Sequence, residues 1–198
     1  MSAGLEMNEE AGRETRERAW LARAAAGDRQ AFEALYCEYH RRLWRFLARV
    51  SNSRELMEEA INDTFWIVWR KAGEFRGDSR VSTWIMGIAY RCALKTLRRD
   101  AGSFEPLPDG AAEDGVLPQA QAEQRDWVAK AMLRLPQEQR STLLLAYYLG
   151  HSCEEIAQIM DCSVGTVKAR MFHARLKLRN LLPALGGLAP GEDHAAHG

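Results

Sequence analysis

Residues 153–182, CEEIAQIMDCSVGTVKARMFHARLKLRNLL, decide the fold. Val164, Val167, Met171, Ala174, Leu178 and Leu181 recur at spacings of 3, 4, 3, 4 and 3, which is one apolar stripe on one helix. Just upstream, Ile156, Ile159 and Met160 give a short amphipathic helix, and Asp161-Cys162-Ser163 makes a tight turn with Ser163 as N-cap. Two short helices joined in this way predict a helix-turn-helix. After Asp161 the stretch holds no acid, yet Lys168, Arg170, Arg175, Lys177 and Arg179 gather in it. A solvated helix face mixes both signs, because opposite charges three or four residues apart support it. A one-sided run points to a partner that brings its own negative charge, and DNA phosphate fits. The bland reading, a small bundle with a merely solvated basic face, stays open on spacing alone. Phe172 argues against it, since an aromatic exposed among bases is unusual on an inert surface.

Outward from that stretch, the chain of 198 residues is 46% hydrophobic and 27% charged, with formal net charge zero. The zero hides a pattern. Residues 17–99 hold sixteen bases against ten acids, and residues 127–182 hold eight against four. Between them, residues 100–126 hold seven acids against one base, with prolines, glycines and no apolar periodicity. This reads as a flexible acidic linker. β-branched runs are absent and the periodic segments have helical spacing.

The fold class expected is all-α, with two small helical domains joined by the linker. The expected division is a disordered tail at 1–16, a helical domain at 17–100, the linker at 101–119, a helical domain at 120–182 and a disordered tail at 183–198. Helices are expected over Arg16–Ala26, Asp28–Val50, Ser53–Glu74 and Ser82–Asp100, with Asp28 and Ser82 as caps. Further helices are expected over Ala120–Leu135, Gln137–Leu149, Cys153–Met160 and Val164–Leu182. No apolar run approaches the roughly 20 residues that span a bilayer, and the polar N-terminus is no secretory signal. A cytoplasmic protein with no membrane insertion is the expectation. The cysteines, Cys37, Cys92, Cys153 and Cys162, form no C-x-x-C pair and read as small core residues or free thiols.

Five of the six tryptophans fall in the N-terminal block, at 20, 44, 66, 69 and 84. Ile61, Phe65, Val68 and Ala72 form a core stripe, with Glu58, Asn62, Asp63, Trp66 and Arg70 off or beside it. The carboxylates Glu58, Glu59 and Asp63 lack the histidines or second set of ligands that a metal site needs, so neither metal nor cofactor is expected. Downstream, FRGDSRVSTWIMGIAYRCALKTLRR (75–99) reads as a loop and a helix in which Trp84, Ile88 and Tyr90 interleave with Arg91, Lys95, Arg98 and Arg99. Bases stack on such aromatics while cations track the backbone, the pattern of single-strand recognition. The plainer alternative takes the aromatics as core and the cations as surface.

The stretch LPQEQRSTLLLAYYLGHSCEEIAQIMDCSVGTVKARMFHARLKLR (135–179) resembles region 4 of the extracytoplasmic-function (ECF) class of bacterial sigma factors. AAGDRQAFEALYCEYHRRLWRFL (25–47) and AINDTFWIVWRKAGEFRGDSRVSTWIMGIAYRCALKTLRR (60–99) resemble region 2 of the same class. The resemblance implies four-helix region 2 and region 4 domains and a non-catalytic subunit that directs RNA polymerase to promoters. It implies that Asn62, Asp63, Trp66 and Arg70 dock on the clamp helices of the polymerase core. It implies that Arg76, Ser79, Arg80, Trp84, Arg91 and Lys95 meet the −10 element. Thr166, Lys168, Ala169, Arg170, Phe172, His173 and Arg175 would face the −35 element, with region 4 on the polymerase flap. An anti-sigma factor is the regulatory partner implied. Asn62 stands where the family often has glutamine, and His173 where arginine is common.

Two rivals remain at this point. A LuxR-type regulator shares the EIA…SVGTVK pattern but calls for a receiver or sensing first domain. A helical enzyme using Glu58, Glu59 and Asp63 calls for a metal.

Overall fold

The computed structural model describes residues 2–50, 53–99, 128 and 130–185, and they are helical apart from short turns. Helix α1 (Ser2–Ala25) ends at Gly27, whose φ of 89° is a left-handed turn open to glycine. Asp28 then caps α2 (Arg29–Leu47), accepting from the Gln30 and Ala31 amides at 2.9 and 3.2 Å. The Ala31 amide above all, and then the Arg23 guanidinium, hold the Asp28 carboxyl below its usual range. Ser53 caps α3 (Arg54–Lys71), and a 3₁₀ turn (Ala72–Glu74) extends it. After the loop 75–80 comes α4 (Val81–Arg99).

Leu35, Tyr39, Leu43 and Phe46 of α2 meet Ile61, Phe65 and Val68 of α3 and Ile85, Met86 and Ala89 of α4 in one core. Phe32 and Tyr36 pack on Phe65, and Phe32 on Trp69, with centroids 6.1, 4.6 and 5.0 Å apart. Glu17 is buried beneath this core, where the Tyr39 hydroxyl donates to it at 2.6 Å. Burial pushes the pKa of both groups up.

In the C-terminal half, residues 130–133 are helical and the chain turns at Arg134–Leu135. Helix α5 (Gln137–Leu143) opens after Pro136 and widens into a π-helical turn (Leu144–Tyr148), closed by the Leu149 amide on the Leu144 carbonyl at 3.1 Å. Helix α6 (Cys153–Met160) carries a capping box in which Ser152 accepts from the Glu155 amide and Glu155 accepts from the Ser152 amide. Asp161 ends it at φ 51°, a left-handed position that a short polar side chain tolerates. Ser163 then accepts from the Thr166 amide at 3.1 Å and opens α7 (Val164–Leu185).

Three expectations need correcting. The first helix starts at Ser2, not Arg16, so residues 2–16 are not a tail; Glu14 and Arg18, one turn apart, pair at 2.6 Å and reach the loop 75–80 from there. Ser82 does not cap α4: the chain is already helical at Val81, whose amide is accepted by Glu14. Finally, α7 runs past Pro183 to Leu185. The expected linker and most of Ala120–Leu135 lie outside the described residues.

The two halves pack together. Helix α4 lies against α6, the Thr83 hydroxyl donates to Glu155 at 3.0 Å, and the Arg49 guanidinium lies 3.7 Å over the Tyr148 ring. Ile156, Ile159 and Val167 therefore belong to the same apolar core as Ile85 and Met86. A smaller core of Leu135, Leu143 and Ala174 sits under α5 and α7.

Candidate nucleic-acid and polymerase interfaces

On α7, Val167 and Ala174 are fully buried and Met171 and Leu178 half-buried, so the apolar stripe faces inward as its spacing predicts. That leaves Lys168, Ala169, Phe172, His173 and Arg175 exposed along one outer face. Phe172 is 63% exposed and meets the His173 ring edge-on at 5.5 Å. Thr166 is half-buried, its hydroxyl sharing a hydrogen bond with Ser163 at 2.9 Å. Arg170 is turned aside: it pairs with Glu138 at 2.7 Å and touches the Cys162 sulfur at 3.5 Å. The sequence reading missed Tyr147, which is 65% exposed beside this face and accepts a hydrogen bond from Arg175. The Tyr-Tyr pair ahead of Gly150 was the available signal, but only the π-helical turn sends both rings outward.

The second assembly lies between α3 and α4. An open groove of about 410 Å³ is lined by Asp63, Ile67, Trp84, Ile88, Arg91 and Lys95, among others. Trp84 packs on Phe75 with centroids 5.4 Å apart, and Arg91 and Lys95 are exposed at the rim. Lys95 approaches Asp63 at 3.9 Å, so Asp63 belongs to this groove as much as to the outer face of α3. On the loop 75–80, Arg76 is exposed and Ser79 half-buried.

Arg80 is drawn toward carboxylates on two sides, Glu10 of α1 and Glu155 of α6, the latter at 3.6 Å. Partial burial works to lower its pKa, but Glu10, Glu155 and Glu14 outweigh that and raise it. Glu155 is the anchor of the contact between the halves. His151 first, then the Ser152 amide and Thr83, hold its carboxyl down at about 2 against desolvation.

The third surface is the outer face of α3. Asn62, Trp66 and Arg70 are exposed there, Trp66 by 61%, with the Arg70 guanidinium 6.0 Å from the Trp66 ring centre. A large exposed aromatic under a cation is an anchor shape for a protein partner. Nearby, Glu58 pairs with Arg54 at 2.9 Å, and among the described residues no cluster of His, Cys, Asp or Glu could hold a metal ion.

The sigma-70 region 2 family matches residues 35–102 and the sigma-70 region 4 family matches residues 125–178. The ECF RNA polymerase sigma factor SigM of Mycobacterium tuberculosis is 36% identical over 167 residues, 82% of either chain. The chain belongs to the ECF RNA polymerase sigma factors. The ECF sigma-E factor of Escherichia coli is 32% identical over 182 residues, 83% of this chain and 93% of its own. Among solved structures, this sigma factor is similar to RpoE of Bartonella quintana, crystallised with the anti-sigma factor NepR. That match has a TM-score of 0.63 at 25% identity, covering 76% of this chain and 96% of that one. CnrH, solved with the cytosolic domain of CnrY, shares the fold with a TM-score of 0.66 at 23% identity, over 85% and 98%. Family membership removes both rivals: a LuxR-type regulator lacks region 2, and a sigma factor is not an enzyme. No helix among the described residues is long and apolar enough to cross a membrane.

Proposed function

We propose that this sigma factor docks on the clamp helices of the polymerase core through Asn62, Asp63, Trp66 and Arg70, and on the flap through its region 4. The loop residues Arg76, Ser79 and Arg80 and the groove residues Trp84, Arg91 and Lys95 then take the −10 strand. Extruding a base costs a few kcal/mol of unstacking and unpairing, which a prepared aromatic pocket offsets. The face Thr166, Lys168, Ala169, Phe172, His173 and Arg175 reads the −35 duplex from the major groove. Arg170, paired with Glu138, has to exchange that partner for a phosphate.

The observation that carries this reading is the coexistence of two cationic, aromatic surfaces of different shape: a groove holding Trp84 and a convex helix bearing Phe172. A groove suits an unstacked strand and a lone helix face suits a duplex. The −10 and −35 elements are roughly 25 base pairs apart, about 85 Å of duplex. The Thr83–Glu155 contact must therefore part before both are read. An anti-sigma factor that holds the two halves together is the matching regulator, as a partner is present in the RpoE and CnrH structures. The protein would act in the cytoplasm, alongside the polymerase, and the acids of residues 100–126 would lie along a basic channel of the core.

Run-off transcription from genomic fragments, with sigma-free core and purified chain, tests the proposal. Discrete transcripts that need both components, and that fade with Trp66→Ala, Trp84→Ala or Phe172→Ala, are expected. Duplex binding by the chain alone, without core-dependent transcripts, would overturn it.

A further inference from the structure

The loop 75–80 has an unusual source of order. Arg18 of α1 reaches it from 61 residues upstream in sequence, donating from Nη2 to the Ser79 carbonyl at 2.9 Å and to the Gly77 carbonyl at 3.4 Å. Its guanidinium also lies 5.5 Å from the ring centre of Phe75, the residue that packs on Trp84. On the opposite edge of the loop, both Glu14 carboxylate oxygens accept from the Val81 amide, at 3.3 and 3.2 Å. That amide opens α4, where an uncapped N–H and the positive end of the helix dipole favour an anion. Glu14 and Arg18 are joined to each other at 2.6 Å, one helical turn apart.

Gly77 completes the fit. Its φ of 80° needs glycine, and a Cβ there would stand 2.9 Å from Arg18 Nη1. Loop and brace are thus complementary in shape as well as in hydrogen bonding. Nη2 serves two carbonyls of an irregular segment that secondary structure does not reach, while Nε of the same guanidinium holds Glu14.

We propose that Glu14 and Arg18 are positioning residues for −10 recognition: they fix the curve of the loop 75–80 and the start of α4, and so set which base the loop admits. The inference rests on the reading above that Arg76, Ser79, Arg80 and Trp84 meet the −10 strand. Neither Glu14 nor Arg18 needs to touch DNA. A loop held in its bound shape spares the ordering cost of binding, and only one base then fits it well.

The test uses holoenzyme assembled from core and full-length chain on one promoter found by run-off, with each −10 base varied in turn. Arg18→Ala and Glu14→Ala should flatten −10 base preference by about fivefold to tenfold. Core affinity and binding to a −35 duplex should stay at wild-type levels. Arg18→Lys, which keeps the charge but lacks the planar Nε and Nη2 edge that holds Glu14 and the loop carbonyls at once, should fail to restore the preference. Glu14→Gln, which still offers an oxygen to the Val81 amide, should restore most of it. Wild-type preference in Arg18→Ala and Glu14→Ala, in an assay where Arg80→Ala or Trp84→Ala does change it, overturns the brace alone. Indifference of the wild-type holoenzyme to the −10 sequence overturns the reading beneath it as well. A loss of preference in Arg18→Ala that Arg18→Lys fully repairs reduces the role to charge and also overturns the brace.

Discussion

In the C-terminal half, the side chains proposed to meet DNA follow one another along a single helix, and the stripe that buries α7 also aims them. In the N-terminal half, the corresponding groups come from the loop 75–80, from α4 and, behind both, from α1. The first surface is carried by one helix, with Arg170 and Arg175 tied at its edge to Glu138 and Tyr147. The second exists only when segments 60 to 70 residues apart in sequence are assembled. The groove therefore answers to packing, whereas the helix face answers to single side chains.

The largest effect that would break this contrast is on packing. Phe65→Ala removes a buried ring touched by Phe32 and Tyr36 and should cost about 3–5 kcal/mol. In urea melts the midpoint should fall steeply. A shift under about 1 kcal/mol would mean the core behind the groove tolerates a void, and the distinction would lapse.

Next come the helix-face variants. Phe172→Ala should weaken −35 duplex binding by about tenfold, the order of one lost base contact, while leaving the melting midpoint in place. Arg170→Ala, which removes the proposed phosphate contact, should weaken binding alike across sequences and lower the salt slope by about 1. Unfolding in either variant would show that this surface is not independent of its scaffold.

A smaller effect concerns the seam between the halves. Glu155 releases its proton at about 2 in the folded chain against an ordinary value of 4.5. The stability it contributes is present in full above pH 4.5 and drains away as pH falls toward 2. Glu155→Gln should remove that slope while wild type keeps it. Identical acid-limb profiles for the two proteins would mean that His151, the Ser152 amide and Thr83 do not favour its ionised form.

The smallest change sharpens the local half. Asp161→Gly relieves a left-handed position at the turn between α6 and α7, and should alter stability by less than about 1 kcal/mol in the favourable direction. Clear destabilisation would point to a polar role for the Asp161 side chain.

The same contrast explains what could be read in advance. Asp28, Ser53 and Ser163 cap their helices from adjacent positions, and the bounds of α6 follow from its own apolar residues, so sequence sufficed there. The stripes through Ile61–Ala72 and Val167–Leu178 likewise point inward as their spacing dictates. By contrast, the first half of α1 has no apolar stripe to announce it, because its described contacts to the loop are polar and long-range. The spacing of four between Glu10, Glu14 and Arg18 was its only signature. Ser82 was misread for the same reason: the acceptor for the start of α4 lies 67 residues away. The swing of Arg170 onto Glu138 depends on α5 meeting α7, which periodicity does not encode.

One core running from Ile85 and Met86 to Ile156 and Ile159 has a consequence for exchange with solvent. The amides in the middle of α4 and α6 should open together in the free chain, as one cooperative unit, with a common protection factor in deuterium oxide. Engagement by polymerase would divide that unit, and the two helices would then exchange on separate clocks.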